Sequence, residues 1–260
     1  MPAFAPKVKI LTEGPDFVAS TRSEGRERPG MFLLKGIIWD DPAPAVKLDK
    51  LCLRITFHLK PSFLYFERSL FMLRKLVVGP YQSNCYVLGC KKTMEGLVID
   101  PGDEVFRIVK TIAETGLKIR YILITHGHID HVGGASELKK ITGAPVYIHP
   151  FDKSGLGFSP DGQVNEGNDL KLGTYMIKVL HTPGHSPGGV CYNAPGALFT
   201  GDTIFAGSIG RTDFPGGDHQ RLIEGVRSKI FSLDGNLRIY PGHGPATTID
   251  RERRTNPFFQ

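Results

Sequence analysis

The segment THGHIDH, Thr125 to His131, holds three of the chain's nine histidines and an aspartate within seven residues. Packed imidazoles with no task would leave many buried polar atoms to satisfy. Neutral imidazoles and carboxylates are instead good ligands for zinc, iron or manganese. Three further candidates stand far along the chain, each at a Gly/Pro turn: His185 in HTPGHSPGG, Asp202 in FTGDTIF and His243 in YPGHGP. With His126, His128, Asp130 and His131 they make five histidines and two aspartates. Such a set suits two metal ions about 3.5–4 Å apart that share a carboxylate. Of the other histidines, His58, His149 and His219 read as structural residues, and His181 as a support for the loop that follows it.

To act together these residues must be carried to one place. IRYILIT reads as a buried strand running into the cluster. The period of two along a strand lets His126 and His128 point the same way, and the turn into the next helix swings Asp130 and His131 toward the same point. Gly133 and Gly134 follow, where backbone can approach closely. LRKLVV, NCYVLG, GLVID, PVYIH, TYMIKVLHT, GGVCYN, ALFTGD and LRIYPGHG read as further strands. The spacing of Val105, Ile108, Val109 and Ile112 predicts a helix, with Asp103 as its cap and Gly116 as its end. GGASELKKITG predicts a short helix, and DHQRLIEGVRSKIF another, capped by Asp218 with Leu222, Ile223, Val226 and Ile230 on one face. Residues 150–172 read as a long polar loop that either shapes the site or merely connects. Paired strands followed by mixed strands and helices argue for sheets covered by helices, an α+β arrangement.

Composition sets the limits. Hydrophobic residues make up 40% and charged residues 22% of the 260, enough for a sizeable core. The net charge of +6 is mild, with 11 basic against 8 acidic residues in 1–71 and 21 against 18 in 72–260. No Lys/Arg run points to nucleic acid, and the field mildly favours an anionic small substrate. Four cysteines, none in a C-x-x-C pair, do not form a disulfide scaffold and fit a reducing, cytoplasmic setting. No run of about 18 apolar residues suggests a membrane span. The first 71 residues carry seven of the 19 prolines and little periodicity, and are expected to be a loosely ordered or non-functional extension ahead of a 72–260 domain.

The motifs T-H-x-H-x-D-H, T-P-G-H, F-T-G-D-T and Y-P-G-H-G, in this order over residues 72–260, resemble the metallo-β-lactamase superfamily of hydrolases. GDTIFAGSIGRTDF makes the chain most similar to its glyoxalase II-like branch. The resemblance implies a four-layer αβ/βα sandwich with the site at one edge. It also implies that His126, His128 and His185 hold one metal, that Asp130, His131 and His243 hold the other, and that Asp202 bridges them. All seven positions are filled. The chain stops at NPFFQ, short of the C-terminal helical region with which long glyoxalase II enzymes hold glutathione, so it resembles a short form.

Two divalent cations, zinc expected with iron or manganese as alternatives, lower the pKa of a bound water from about 15.7 to about 7. The expected nucleophile is the resulting bridging hydroxide, with Asp130 as both ligand and catalytic orienting group. The expected substrate is a small-molecule thioester, an S-acylglutathione first, because a thiolate leaves without a strong general acid. Arg211 in GRTDF is the candidate for holding a substrate carboxylate, against a structural ion pair with Asp213. The rival is a persulfide dioxygenase, a family that shares the T-H-x-H-x-D-H and G-R-T-D-F stretches and uses one iron, held at the counterparts of His126, His185 and Asp202. PGHG after the last strand favours the hydrolase. A metal-stabilised binding protein is the reading from outside enzymology. Oligomeric state is left open by the sequence.

Overall fold

The computed structural model describes residues 71–260. The expectations for the N-terminal extension, and for His58 within it, lie outside the described residues. Two six-stranded sheets pack face to face. The first has the order β1 (Phe71–Val78), β2 (Ser83–Cys90), β3 (Glu95–Ile99), β4 (Lys118–Leu123), β5 (Val146–Ile148), β6 (Gly162–Gln163). The second contains β7 (Asp169–Leu172), β8 (Tyr175–His181), β9 (Val190–Ala194), β10 (Ala197–Gly201), β13 (Arg238–Pro241) and β14 (Thr247–Thr248), in the order β14-β13-β10-β9-β8-β7. A small hairpin, β11 (Ile204–Phe205) and β12 (Ser208–Ile209), stands apart from both.

The layering follows from the strand period. In β2, Cys85 and Val87 face outward to join Ile108 and Leu138, while Tyr86 and Leu88 face the second sheet. Likewise Val98 turns outward and Leu97 and Ile99 inward. In the second sheet Tyr192 and Phe199 point inward, and Cys191 and Leu198 meet Leu222, Val226 and Ile249 on the far side. Strands buried on both faces, each covered side chain contributing about 1.5–3 kcal/mol, need helices outside both sheets. Helices α1 (Val105–Thr115), α2 (Ile129–Val132) and α3 (Ala135–Thr142) fall among the strands of the first sheet in chain order, α4 (His219–Gly225) and α5 (Ile249–Thr255) among or after those of the second. The order is helix, sheet, sheet, helix, the four-layer sandwich that the family resemblance implies.

Local signals mostly hold. Asp218 accepts the Arg221 amide at 3.0 Å and caps α4, whose path continues through a π-turn at Val226–Ile230. Gly116 ends α1 in the left-handed region at φ 67°. Asp103 is a correction: Glu104 sits at φ 48° ahead of α1, so the Asp103 carboxylate reaches only the Glu104 amide and no helical N–H. The 150–172 segment is not a plain loop either. His149 Nδ1 accepts the Phe151 amide to start a 3-10 helix at Pro150–Leu156, and β6 and β7 extend both sheets. His219 is exposed in the first turn of α4, outside the core. Cys85, Cys90 and Cys191 are buried and free. Among the described residues no helix is long and apolar enough to cross a membrane.

Candidate metal centre

All seven candidate ligands come together at one edge of the sandwich. The side chains converge because each motif starts where a strand stops. β4 delivers His126 and His128, and α2 carries Asp130 and His131. A bulge at Thr200 in the pairing of β10 with β13 ends that strand and precedes Asp202. The turn after β13 delivers His243, and Gly242 is required there because any side chain would drive into Asp202 Oδ1. Main-chain bonds lock the two sheets together at this edge, Asn84 N to Gly242 O at 2.7 Å and Val190 N to Thr125 O at 2.9 Å, while Gly242 N to Gly201 O at 2.7 Å ties the ends of β13 and β10 within the second sheet.

The ligating atoms form overlapping trios, His126/His128/His185, His126/His131/Asp202 and Asp130/His131/His243, each within 4.8 Å. Asp202 lies between the outer two. Its Oδ2 is 3.6 Å from His185 Nε2 and 3.5 Å from His243 Nε2, and its Oδ1 is 3.5 Å from His131 Nε2. Asp130 Oδ2 is 3.2 Å from His243 Nε2 and 3.4 Å from His131 Nε2. His126 Nε2, His131 Nε2 and Asp202 Oδ1 are buried with no hydrogen-bond partner. Buried polar atoms are nearly always satisfied. Three orphans aimed at one point, together with His185 Nε2 only 2.9 Å from His128 Nδ1, are what a cation-binding set leaves when protein atoms alone are counted. The donor set therefore fits two divalent metals.

Three of the outer ring nitrogens are spoken for, in the way that holds a metal-binding imidazole in place. His131 Nδ1 donates to Asp100 Oδ2 at 3.0 Å, His185 Nδ1 to the Arg211 carbonyl at 2.7 Å, and His126 Nδ1 to Thr125 Oγ1 at 3.0 Å. Thr125 passes this on, since its hydroxyl and amide donate to Asp100 at 2.7 Å each. Asp100 thus orients two ligands at once, and it was missed in the sequence; its signal was the strand-end Asp-Pro-Gly of VIDPG, the same punctuation that marks the ligands. Ser83, also missed, donates to Asp130 Oδ2 at 2.8 Å, and Asn84 Nδ2 holds the carbonyls of Pro241 and Gly244 on either side of His243. An Asp100→Asn variant is expected to bind zinc about 10- to 100-fold more weakly. Chelator competition on the purified variant would show it; unchanged affinity would remove Asp100 from the site.

Charge divides the cluster. Burial, then the neighbouring imidazoles of His131, His185 and His128, hold His126 well below the usual histidine range; burial, then His185, lower His128. Burial opposes a charge on His131 too, but Asp202 and Asp100 outweigh it and push the group well above that range. The Asp130 hydrogen bond raises His243. Asp130 is itself lowered, because bonds to His131 and His243 overcome its desolvation.

Arg211 reaches the centre through its backbone. Its guanidinium makes two bonds to Asp213, at 2.7 and 2.6 Å, and lies 3.9 Å over the Phe214 ring, which in turn packs edge-on against His128. The ion pair is exposed and therefore weak. His181 donates to the Pro187 carbonyl at 3.0 Å, a support of the loop as expected, and stacks on His149 with centroids 4.2 Å apart.

The model of the metallo-beta-lactamase superfamily matches residues 78–243. The chain belongs to that superfamily. It is 38% identical over 201 residues to the hydroxyacylglutathione hydrolase GloC of Haemophilus influenzae, covering 70% of this chain and 94% of the relative. It is 34% identical over 194 residues to the mitochondrial persulfide dioxygenase ETHE1 of Mus musculus, covering 72% and 75%. The solved structure of TTHA1623 in a di-iron-bound form aligns at a TM-score of 0.62 and 36% identity, over 71% of this chain and 99% of that one.

Proposed function

We propose that this superfamily member is a metal-dependent hydrolase of thioesters, with an S-acylglutathione as substrate. The observation that carries the reading is the completeness of the second ligand set: Asp130, His131 and His243 are all present and mutually within reach, and Asp202 stands between that set and the first. Likeness to a hydroxyacylglutathione hydrolase over nearly its whole length supports the substrate class. Two bound divalent ions supply an ionised water and a Lewis acid for the carbonyl.

The chain's own groups do the rest. His126, His128, Asp130, His131, His185, Asp202 and His243 would hold the ions. Asp130 Oδ2 is fixed by Ser83, and the side chain is 18% exposed, so it can accept a hydrogen bond from the attacking water and orient it. A cleft of about 240 Å³ opens beside it, lined by Val78, Pro80, Tyr81, Asp103 and Ile129, and gives room for one arm of the substrate. The leaving thiolate is a weak base and needs no strong acid, and no spare acid is required of the site. Arg211 offers its guanidinium to a substrate carboxylate by exchange for the exposed Asp213.

The likeness to a persulfide dioxygenase gives the experiment its second arm. Protein from defined medium is analysed for metals, then assayed for thiol release from S-lactoylglutathione and for oxygen uptake on glutathione persulfide. Two metals per chain with thiol release and no oxygen uptake is the expected result. One iron with oxygen uptake would overturn the hydrolase, and metal without either turnover would favour a binding protein.

A further inference from the structure

The 3-10 helix Pro150–Leu156 carries Asp152, a buried carboxylate 6% exposed with no cation beside it among the interactions it makes. Its Oδ2 accepts the Gly127 amide at 2.9 Å and the Ser186 hydroxyl at 2.7 Å, and its Oδ1 accepts the Gly188 amide at 2.7 Å. Gly127 is the residue between His126 and His128. Ser186 follows His185. One carboxylate therefore joins the two separate loops that supply the first ligand trio. Close approach is built in on both sides: a side chain at Gly127 would meet the Asp152 carbonyl at 2.6 Å, and one at Gly188 would meet the Asp152 carboxyl carbon at 2.7 Å. The stacked His149 and His181 rings brace the same junction, since His149 starts the 3-10 helix and His181 holds Pro187 between Ser186 and Gly188.

We propose that Asp152 is a positioning residue that sets the distance between the His126/His128 loop and the His185 loop, and so the metal affinity of that trio alone. The proposal rests on the metal-holding reading of the cluster and is independent of the substrate. The second trio has no bond to Asp152; its fixing groups are Asp100 and Ser83. Asparagine cannot replace the carboxylate. Backbone amides are obligatory donors, and they face both oxygens, so the amide nitrogen of asparagine would oppose one of them.

The test is a zinc titration of the metal-free full-length chain against a chromophoric chelator, for wild type and Asp152→Asn, with His128→Ala and His243→Ala to assign the two binding steps. Asp152→Asn is expected to weaken the step that His128→Ala weakens, by about 10- to 100-fold, and to leave the step that His243→Ala weakens unchanged. Equal loss at both steps with a lower melting temperature of the metal-free chain would make Asp152 a general brace, and no loss at either would make it irrelevant; each overturns the inference. Should Asp152→Asn fail to fold, Ser186→Ala decides, since it removes one of the three bonds: a smaller loss at the same step supports the proposal, and any other pattern sinks it. Wild-type protein that takes up no zinc would overturn the metal reading itself, a result distinct from the others.

Discussion

Asp202→Ala is expected to reduce turnover by about 10³-fold or more, the scale seen when a group shared by a whole constellation is removed, and to lower the metal content of the purified chain below two. The reason is position. Asp202 lies within 3.6 Å of members of both outer trios, facing His185 and His243 with Oδ2 and His131 with Oδ1. Loss of a ligand from one trio leaves the other intact, but loss of the shared carboxylate opens both. It also removes the negative charge that lets two cations lie about 3.5–4 Å apart. Oδ1 has no hydrogen bond to lose, so the defect should appear in elemental analysis and in kcat/KM before it appears in folding. A variant that retained two tightly held metals would show that Asp202 is not the shared ligand.

The second expected result separates the trios by pH. Before metal enters, His131 and His243 hold their protons to higher pH than an ordinary histidine, while Asp130 is already ionised. A metal must displace those protons to use the Nε2 lone pairs. Affinity of the Asp130/His131/His243 trio should therefore rise by about tenfold per pH unit for each proton displaced, until pH passes the raised values. His126 and His128 are lowered, so they are neutral at neutral pH and release nothing. On acidification the second trio should empty first. Zinc titrations between about pH 6 and pH 8, with released protons counted from buffers of different ionisation heat, would show one steeper and one shallower binding step. Two steps of equal slope would contradict the charge division. The same experiment bears on function, because a chain that works with one metal would tolerate acid better than one that needs both.

These two results rest on residues that the sequence already shows. The seven ligands were legible because metal binding demands particular side chains, and because four of them lie in one segment; β4 ends at Leu123, so the turn after it and α2, rather than strand period, aim His126, His128, Asp130 and His131. The other three carried the same strand-end, Gly/Pro punctuation. The strands themselves were legible, though the face each of their residues takes was shown only by the fold, and Asp218 and Gly116 marked helix ends by local chemistry alone.

The supports were harder to read for the opposite reason, Asp100 alone carrying the strand-end punctuation of the ligands. Asp100 acts on residues 25 and 31 positions away, Ser83 on one 47 away, and Asp152 on residues 25, 34 and 36 away. A single aspartate or serine has no periodicity, and its hydrogen-bond partner is chosen by how loops pack. Arg211 illustrates the same limit, since only the folded chain shows its fork engaged by Asp213 and its carbonyl engaged by His185. The sequence by itself determined the ligand types and the strand ends that carry them, because covalent spacing and strand period act over a few residues. Tertiary structure alone decided what holds those ligands in place, because that depends on distances between segments that the chain order does not encode.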